Sequence, residues 1–187
     1  MDSGRLTVDA NGLVSRASFI ESPNCDERPD PASITLAVVH GISLPPGEFG
    51  GPGIVELFTN RLDPIAHPYY ESIVDLRVSA HFVIRRTGEL LQFVSCTKRA
   101  WHAGTSIWQG REQCNDFSLG IELEGTDTAP YSAIQYRMLA RLLKALYRRY
   151  PFRHVVGHND IAPGRKTDPG PAFDWERLER LMARKRR

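Results

Sequence analysis

FSLGIELEG, residues 117–125, sets Leu119, Ile121 and Leu123 in alternation with Gly120, Glu122 and Glu124. A period of two is that of a β-strand, whose successive side chains point to opposite faces. The segment predicts a strand with one apolar face and two carboxylates on the other. Its aliphatic residues make it central and buried, so Glu122 and Glu124 are candidates for proton transfer rather than a solvated pair on a sheet edge.

Three further stretches read as strands around it. ITLAVVH (34–40) is an apolar, β-branched run that ends at His40, which suits a buried strand with a polar residue at its exit. RVSAHFVIRRTGELLQFV (77–94) reads as two strands about a turn at Thr87-Gly88, with Val78, Ala80, Phe82 and Ile84 on one face and Ser79, His81 and Val83 on the other. HVVGH (154–158) is a short strand leading into a loop, 159–173.

The helices are separate. YSAIQYRMLARLLKALYRRY (131–150) opens on a capping box from Ser132 to Gln135 and is halted by Pro151, with Ile134, Met138, Leu142 and Leu146 as its packing stripe. A short helix follows the Gly/Pro-rich loop 41–53, with Ile54, Leu57 and Phe58 on one side, and a last helix over 174–187 is capped by Asp174. Residues 1–33 are rich in turn formers and predict an irregular lead-in. Loops 41–53 and 159–173 are the expected moving parts. With no repeat and no linker, residues 1–187 are expected to form a single domain of mixed α/β (α+β) class, a central mixed sheet flanked by helices.

Composition narrows the function. Hydrophobic residues make up 41% and charged residues 25%, the balance of a folded globular protein. The net charge of +2 is spread along the chain except at Arg184, Lys185, Arg186 and Arg187, where positive charge suits a helix C-terminus, so nucleic acid is not an expected partner. No stretch approaches the roughly 20 apolar residues of a membrane span, and the N-terminus lacks a signal-like apolar core, so no membrane partner and a cytoplasmic setting are expected. Cys25, Cys96 and Cys114 are odd in number and scattered, and read as reduced thiols.

Six histidines raise the question of metal. His40 and His158 each end a predicted apolar strand before a Gly/Pro-rich loop, where α/β sheets place their sites. Asp168 stands in RKTDPG, ten residues after His158. Two imidazoles and one carboxylate are the three-ligand pattern of catalytic zinc, with a fourth position open. The rival pair, His154 with His158, has helical i, i+4 spacing, but Val155, Val156 and Gly157 disfavour a helix there. His67 and His102 are candidates to contact substrate. Hydrolysis at such a centre needs a carboxylate to take the proton, from Glu122 or Glu124, and Lys166 is placed to meet an oxyanion.

VVHGISLPPGEFGG (38–51), VSAHFVIRRTGEL (78–90), KRAWHAG (98–104), CNDFSLGIELEGTD (114–127) and GHNDIAPGRKTDPGPAFDW (157–175) together carry a resemblance. The chain resembles the zinc-dependent N-acetylmuramoyl-L-alanine amidases, and within them the cytoplasmic AmpD-type 1,6-anhydro-muramyl-peptide amidases of bacterial cell-wall recycling. Peptidoglycan recognition proteins share the wider fold. The resemblance implies Zn2+ held by His40, His158 and Asp168, with Glu122 as general base and Lys166 as oxyanion stabiliser. It selects Glu122 over Glu124, and it places Tyr69, Arg77, Trp101 and His102 along the substrate cleft. The implied substrate is a 1,6-anhydro-muropeptide, cut between the lactyl group of muramic acid and L-alanine by a monomeric enzyme. A non-catalytic muropeptide-binding module is the alternative, and the intact ligand set disfavours it. Two positions depart from the pattern: Gly41 stands where relatives usually carry Asn, and Gln113 where they usually carry Arg.

Overall fold

In the computed structural model, residues 4–30 and 34–183 are described; the basic run Arg184–Arg187 lies outside them. In chain order the strands are β1 (Ser18–Phe19), β2 (Cys25–Glu27), β3 (Leu36–Ile42), β4 (Phe82–Ile84), β5 (Leu90–Gln92), β6 (Lys98–Ala100), β7 (Ile107–Trp108), β8 (Arg111–Glu112), β9 (Ser118–Glu124) and β10 (His154–Gly157). The helices are α1 (Gly53–Phe58), α2 (Pro68–Glu71), α3 (Ala133–Tyr147), α4 (His158–Ile161) and α5 (Trp175–Ala183).

A six-stranded mixed sheet runs β1-β5-β4-β9-β3-β10. β4, β9, β3 and β10 are parallel neighbours, while β5 runs antiparallel to β4 across the turn in which Gly88 takes φ +85°. The alternation in FSLGIELEG is realised: every residue of β9 is buried, and Leu119, Ile121 and Leu123 join Ala37, Val39, Phe82 and Ile84 against α3 and α5. β9 turns Ser118, Gly120, Glu122 and Glu124 to the opposite face, where α1 and the loop after β6 pack. Both sheet faces are thus covered: α3 and α5 close one over an apolar core, and smaller apolar clusters around Val83 and Leu91 and around Leu36 and Val38 flank the polar side chains of β9 on the other.

α3 opens on the expected capping box, with Gln135 N donating to Ser132 Oγ and Ser132 N to Gln135 Oε1. Its packing stripe is shifted from the one expected. Leu139, Leu142, Leu143 and Leu146 are buried, whereas Ile134 is 41% exposed because the first turn faces the β4–β5 turn at Gly88 rather than the sheet. In α5, Asp174 Oδ1 accepts from Arg177 N as a cap should.

Three other expectations change. Residues 1–33 are not simply irregular: they include a Val8–Val14 bridge, β1 at the sheet edge and β2 paired with β6, and Leu6 and Val14 are core. These strands are too short to carry a hydrophobic period, and side chains hold the segment instead. Gln92 accepts from Val14 N and donates to Gly12 O, and the buried Arg28 donates to carbonyls of Cys96, Asn115, Asp116 and Ser118. The alternation expected from Val78 begins only at Phe82, so Val78 and Ala80 pack with Val83, not with Phe82 and Ile84. His158 does not end a strand but opens the single turn α4, immediately after β10.

Candidate active site

β3 and β9 are in register with His40 opposite Glu122, and both side chains lie on the sheet face away from α3. β10 pairs with β3 on its other side, and the chain turns directly into α4, which brings His158 beside His40. Asp168 arrives on a tight turn. Gly170 N donates to Thr167 O, Asn159 N donates to Asp168 O, and Tyr131 Oη donates to Pro169 O.

The result is a triangle of ligand atoms. His40 Nδ1 lies 3.0 Å from His158 Nδ1 and 3.2 Å from Asp168 Oδ2, and His158 Nδ1 lies 3.1 Å from the same oxygen. Among the described residues this is the one group of His, Cys, Asp and Glu side chains placed to hold a metal ion. The hydrogen-bond network tests the fit. The other ring nitrogen of His158 faces Ala103 O at 3.2 Å, a partner that can only accept, so the proton sits there and Nδ1 is a bare lone pair. His40 Nε2 faces His102 Nδ1 at 2.9 Å. Lone pairs and a carboxylate oxygen converging at this distance repel unless a cation lies among them. Ligand atoms about 2.0–2.1 Å from a tetrahedral zinc lie about 3.3 Å apart, near the spacing seen here.

The surrounding electrostatics fit a metal centre. Burial lowers the His40 imidazole to about 4, and burial drives His102 and His81 well below the ordinary range, so all three are neutral. Burial raises the Asp168 carboxyl, and only a proton or a cation between it and the His158 and His40 nitrogens holds it below the usual carboxylate range. Burial, reinforced by Asp168 and opposed by Lys166, lifts Glu122 well above it. Glu122 Oε1 is 4.0 Å from His40 Nδ1, and its Oε2 is buried without a partner.

His40, Glu122, His158 and Asp168 line a cleft of about 500 Å³ together with Lys166, Tyr69 and Trp101. Arg77 is exposed in an adjoining recess with Trp101, Arg165 and Lys166, and donates to Val74 O and Leu76 O. His102 borders both cavities, but one of its ring nitrogens faces His40 and the other Ser118 Oγ at 3.1 Å. The rival His154 stands apart, edge-on to Trp108 with ring centroids 5.6 Å apart. His67 caps α2 by accepting from Tyr69 N. Cys25, Cys96 and Cys114 are free thiols. Asn115 carries no signal of its role in the sequence: its Oδ1 accepts from both His102 N and Ala103 N and docks the loop beside the site.

Residues 30–171 match the N-acetylmuramoyl-L-alanine amidase family. The chain belongs to that family. It is an enzyme, and its reaction class is that of an N-acetylmuramoyl-L-alanine amidase. It is 58% identical over 173 residues to the 1,6-anhydro-N-acetylmuramyl-L-alanine amidase AmpD of Citrobacter freundii, covering 91% of this chain and 92% of the relative. A crystal structure of an AmpD derivative superposes with a TM-score of 0.91 at 57% identity, over 93% of this chain and 98% of the other. The amidase AmiD of Escherichia coli, solved with the substrate anhydro-N-acetylmuramic acid-L-Ala-D-γ-Glu-L-Lys, matches with a TM-score of 0.58 at 28% identity, over 93% of this chain and 65% of that one. No helix among the described residues is long and apolar enough to cross a membrane.

Proposed function

We propose that the chain hydrolyses the amide between the lactyl group of 1,6-anhydro-N-acetylmuramic acid and the L-alanine of the stem peptide, as a monomeric zinc enzyme of cytoplasmic peptidoglycan recycling. The observation that carries this reading is the convergence of His40 Nδ1, His158 Nδ1 and Asp168 Oδ2 on one point beside the unpartnered oxygen of Glu122. The relatives supply the substrate: one carries the anhydromuramyl amidase name over nearly its whole length, and another is titled as a complex with an anhydromuramyl peptide.

His40, His158 and Asp168 would hold the ion, which when bound acts as a Lewis acid towards the scissile carbonyl and the attacking water. Glu122 takes a proton from that water. A carboxyl lifted by burial is a strong enough base for this task and returns the proton readily to the departing amine of L-alanine. Lys166, on the cleft wall, places its ammonium where negative charge grows on the carbonyl oxygen. Trp101 offers an apolar face to the sugar, Tyr69 flanks it, and Arg77 is exposed and able to pair with a peptide carboxylate.

The test is zinc content of the purified chain measured beside release of peptide from 1,6-anhydro-N-acetylmuramyl-tripeptide, with and without a chelator. About one zinc per chain and chelator-sensitive cleavage are expected. Bound zinc without cleavage would favour a substrate altered by Gly41 and Gln113, and absence of zinc would overturn the site.

A further inference from the structure

The segment AWHAG lies behind the metal ligands as much as along the cleft, and its hydrogen bonds run in one direction. Ser118 Oγ has one proton and gives it to Cys114 O at 2.6 Å. Towards His102 Nε2, 3.1 Å away, that oxygen can therefore only accept, which puts the His102 proton on Nε2. The neutral ring then has a bare Nδ1, and this atom faces His40 Nε2 at 2.9 Å. For a hydrogen bond to exist there, His40 must carry its proton on Nε2 and leave Nδ1 bare, pointing at His158 and Asp168.

The place of the ring is built, not incidental. His102 lies flat over Gly120, where a Cβ would come within 2.7 Å of its Nδ1 and Cδ2, so a side chain on that strand position would evict it. Asn115 Oδ1 accepts from the backbone N–H of His102 and of Ala103, fixing the loop from below. Both ring nitrogens of His102 are committed, which leaves neither for a substrate.

We propose that His102, held by Ser118 and seated on Gly120, is a positioning residue that fixes the tautomer of His40 and so presents His40 Nδ1 to the metal. The inference rests on the zinc reading above. Ligand histidines generally owe their ring orientation to the partner of their other nitrogen, and losing that partner costs about 10- to 100-fold in metal affinity. A relay through a second imidazole differs from a single carbonyl, as His158 has in Ala103, because its polarity depends on a hydroxyl one step further away.

The experiment reads histidine tautomers by long-range 15N–1H correlation on the 15N-labelled full-length chain, with and without added zinc, and zinc affinity by competition with a chromophoric chelator. In the wild type His102 should be protonated at Nε2 in both states, and zinc-free His40 likewise. Ser118→Ala should give a second His102 form protonated at Nδ1 and bind zinc about tenfold more weakly or worse; Ser118→Thr, which keeps the hydroxyl, should restore both. A wild-type His102 protonated at Nδ1 overturns the proposal without any variant, and so does Ser118→Ala with wild-type tautomers and affinity. Failure of the wild type to bind zinc would sink the metal reading instead, and the tautomers of the zinc-free chain would still be read.

Discussion

Glu122 and Glu124 lie two residues apart on the same face of β9, and their surroundings are opposite. Exposure does not separate them, at 8% and 2%; partners do. Glu124 accepts from Arg85 Nη1 at 3.0 Å, from Gly50 N at 2.7 Å and from Arg86 N at 3.1 Å. Glu122 has one oxygen without a partner and the other 4.0 Å from His40. A buried carboxylate whose lone pairs are filled is a structural anion, here pinning the loop after β3 through Gly50. One left without a partner at the edge of the cleft is, on the proposed reading, the group that takes a proton. The same residue type on the same strand can serve two purposes, because donors close one pocket and leave the other without a protein partner.

The largest expected effect comes from removing a proposed metal ligand. Asp168→Ala should abolish turnover together with zinc binding, read by metal analysis of the purified variant; a variant that keeps zinc would break the triangle of ligands. Glu122→Ala should retain zinc and lose on the order of 10²- to 10⁴-fold in kcat. Glu124→Ala should do the reverse, keeping kcat within a few-fold while losing about 3 kcal/mol of stability, because Arg85 is left without its buried partner. Equal kcat losses in the two variants would erase the contrast between the pockets.

Acid should distinguish them next. His40, His81 and His102 are held neutral by burial, so the unfolded chain takes up protons below about pH 6.5 that the folded chain refuses. Their effect is absent above that pH, and stability is lost as the pH falls towards 4. Glu122 acts oppositely, since its raised value gives stability that is full at low pH and lost as the pH rises. Three imidazoles outweigh one carboxyl, so the zinc-free chain should melt about 5 °C lower at pH 5 than at pH 7.5 by calorimetry. A melting point that does not fall would show the histidine pocket to be open to water. The smallest effect on the fold belongs to Arg77→Ala: KM should rise about tenfold from a lost charge-assisted bond, with the melting point unchanged, because the side chain is exposed.

Much of this was legible in the chain itself. Long, strongly patterned stretches such as FSLGIELEG and ITLAVVH appear where their periods put them, and so does the α3 helix, though its buried stripe is turned from Ile134 and Met138 towards Leu139 and Leu143. Elements of two or three residues, including β1 and β2, carry no period and cannot be read from the sequence; their places are set by contacts to distant residues, Gln92 for the Val14 segment and the Cys96 and Ser118 carbonyls for Arg28 beside β2. The Val78–Ala80 alternation misled for a related reason, since the backbone enters the ladder only at Phe82. At the site, residue types and spacing named His40, His158 and Asp168 as candidates, whereas spacing alone left Glu122 and Glu124 equal.

What the sequence determined by itself is the set of chemical groups and the longer strands that carry them, because hydrophobic period and residue type are local properties. The tertiary structure decided which groups meet. β3 and β9 pair so that His40 stands opposite Glu122, the turn at Asp168 closes on α4 through Asn159 N, and the 101–104 loop docks on Asn115 with His102 over Gly120. Registers, hydrogen-bond directions and tautomers are relations between distant segments, fixed only when packing brings a donor to an acceptor.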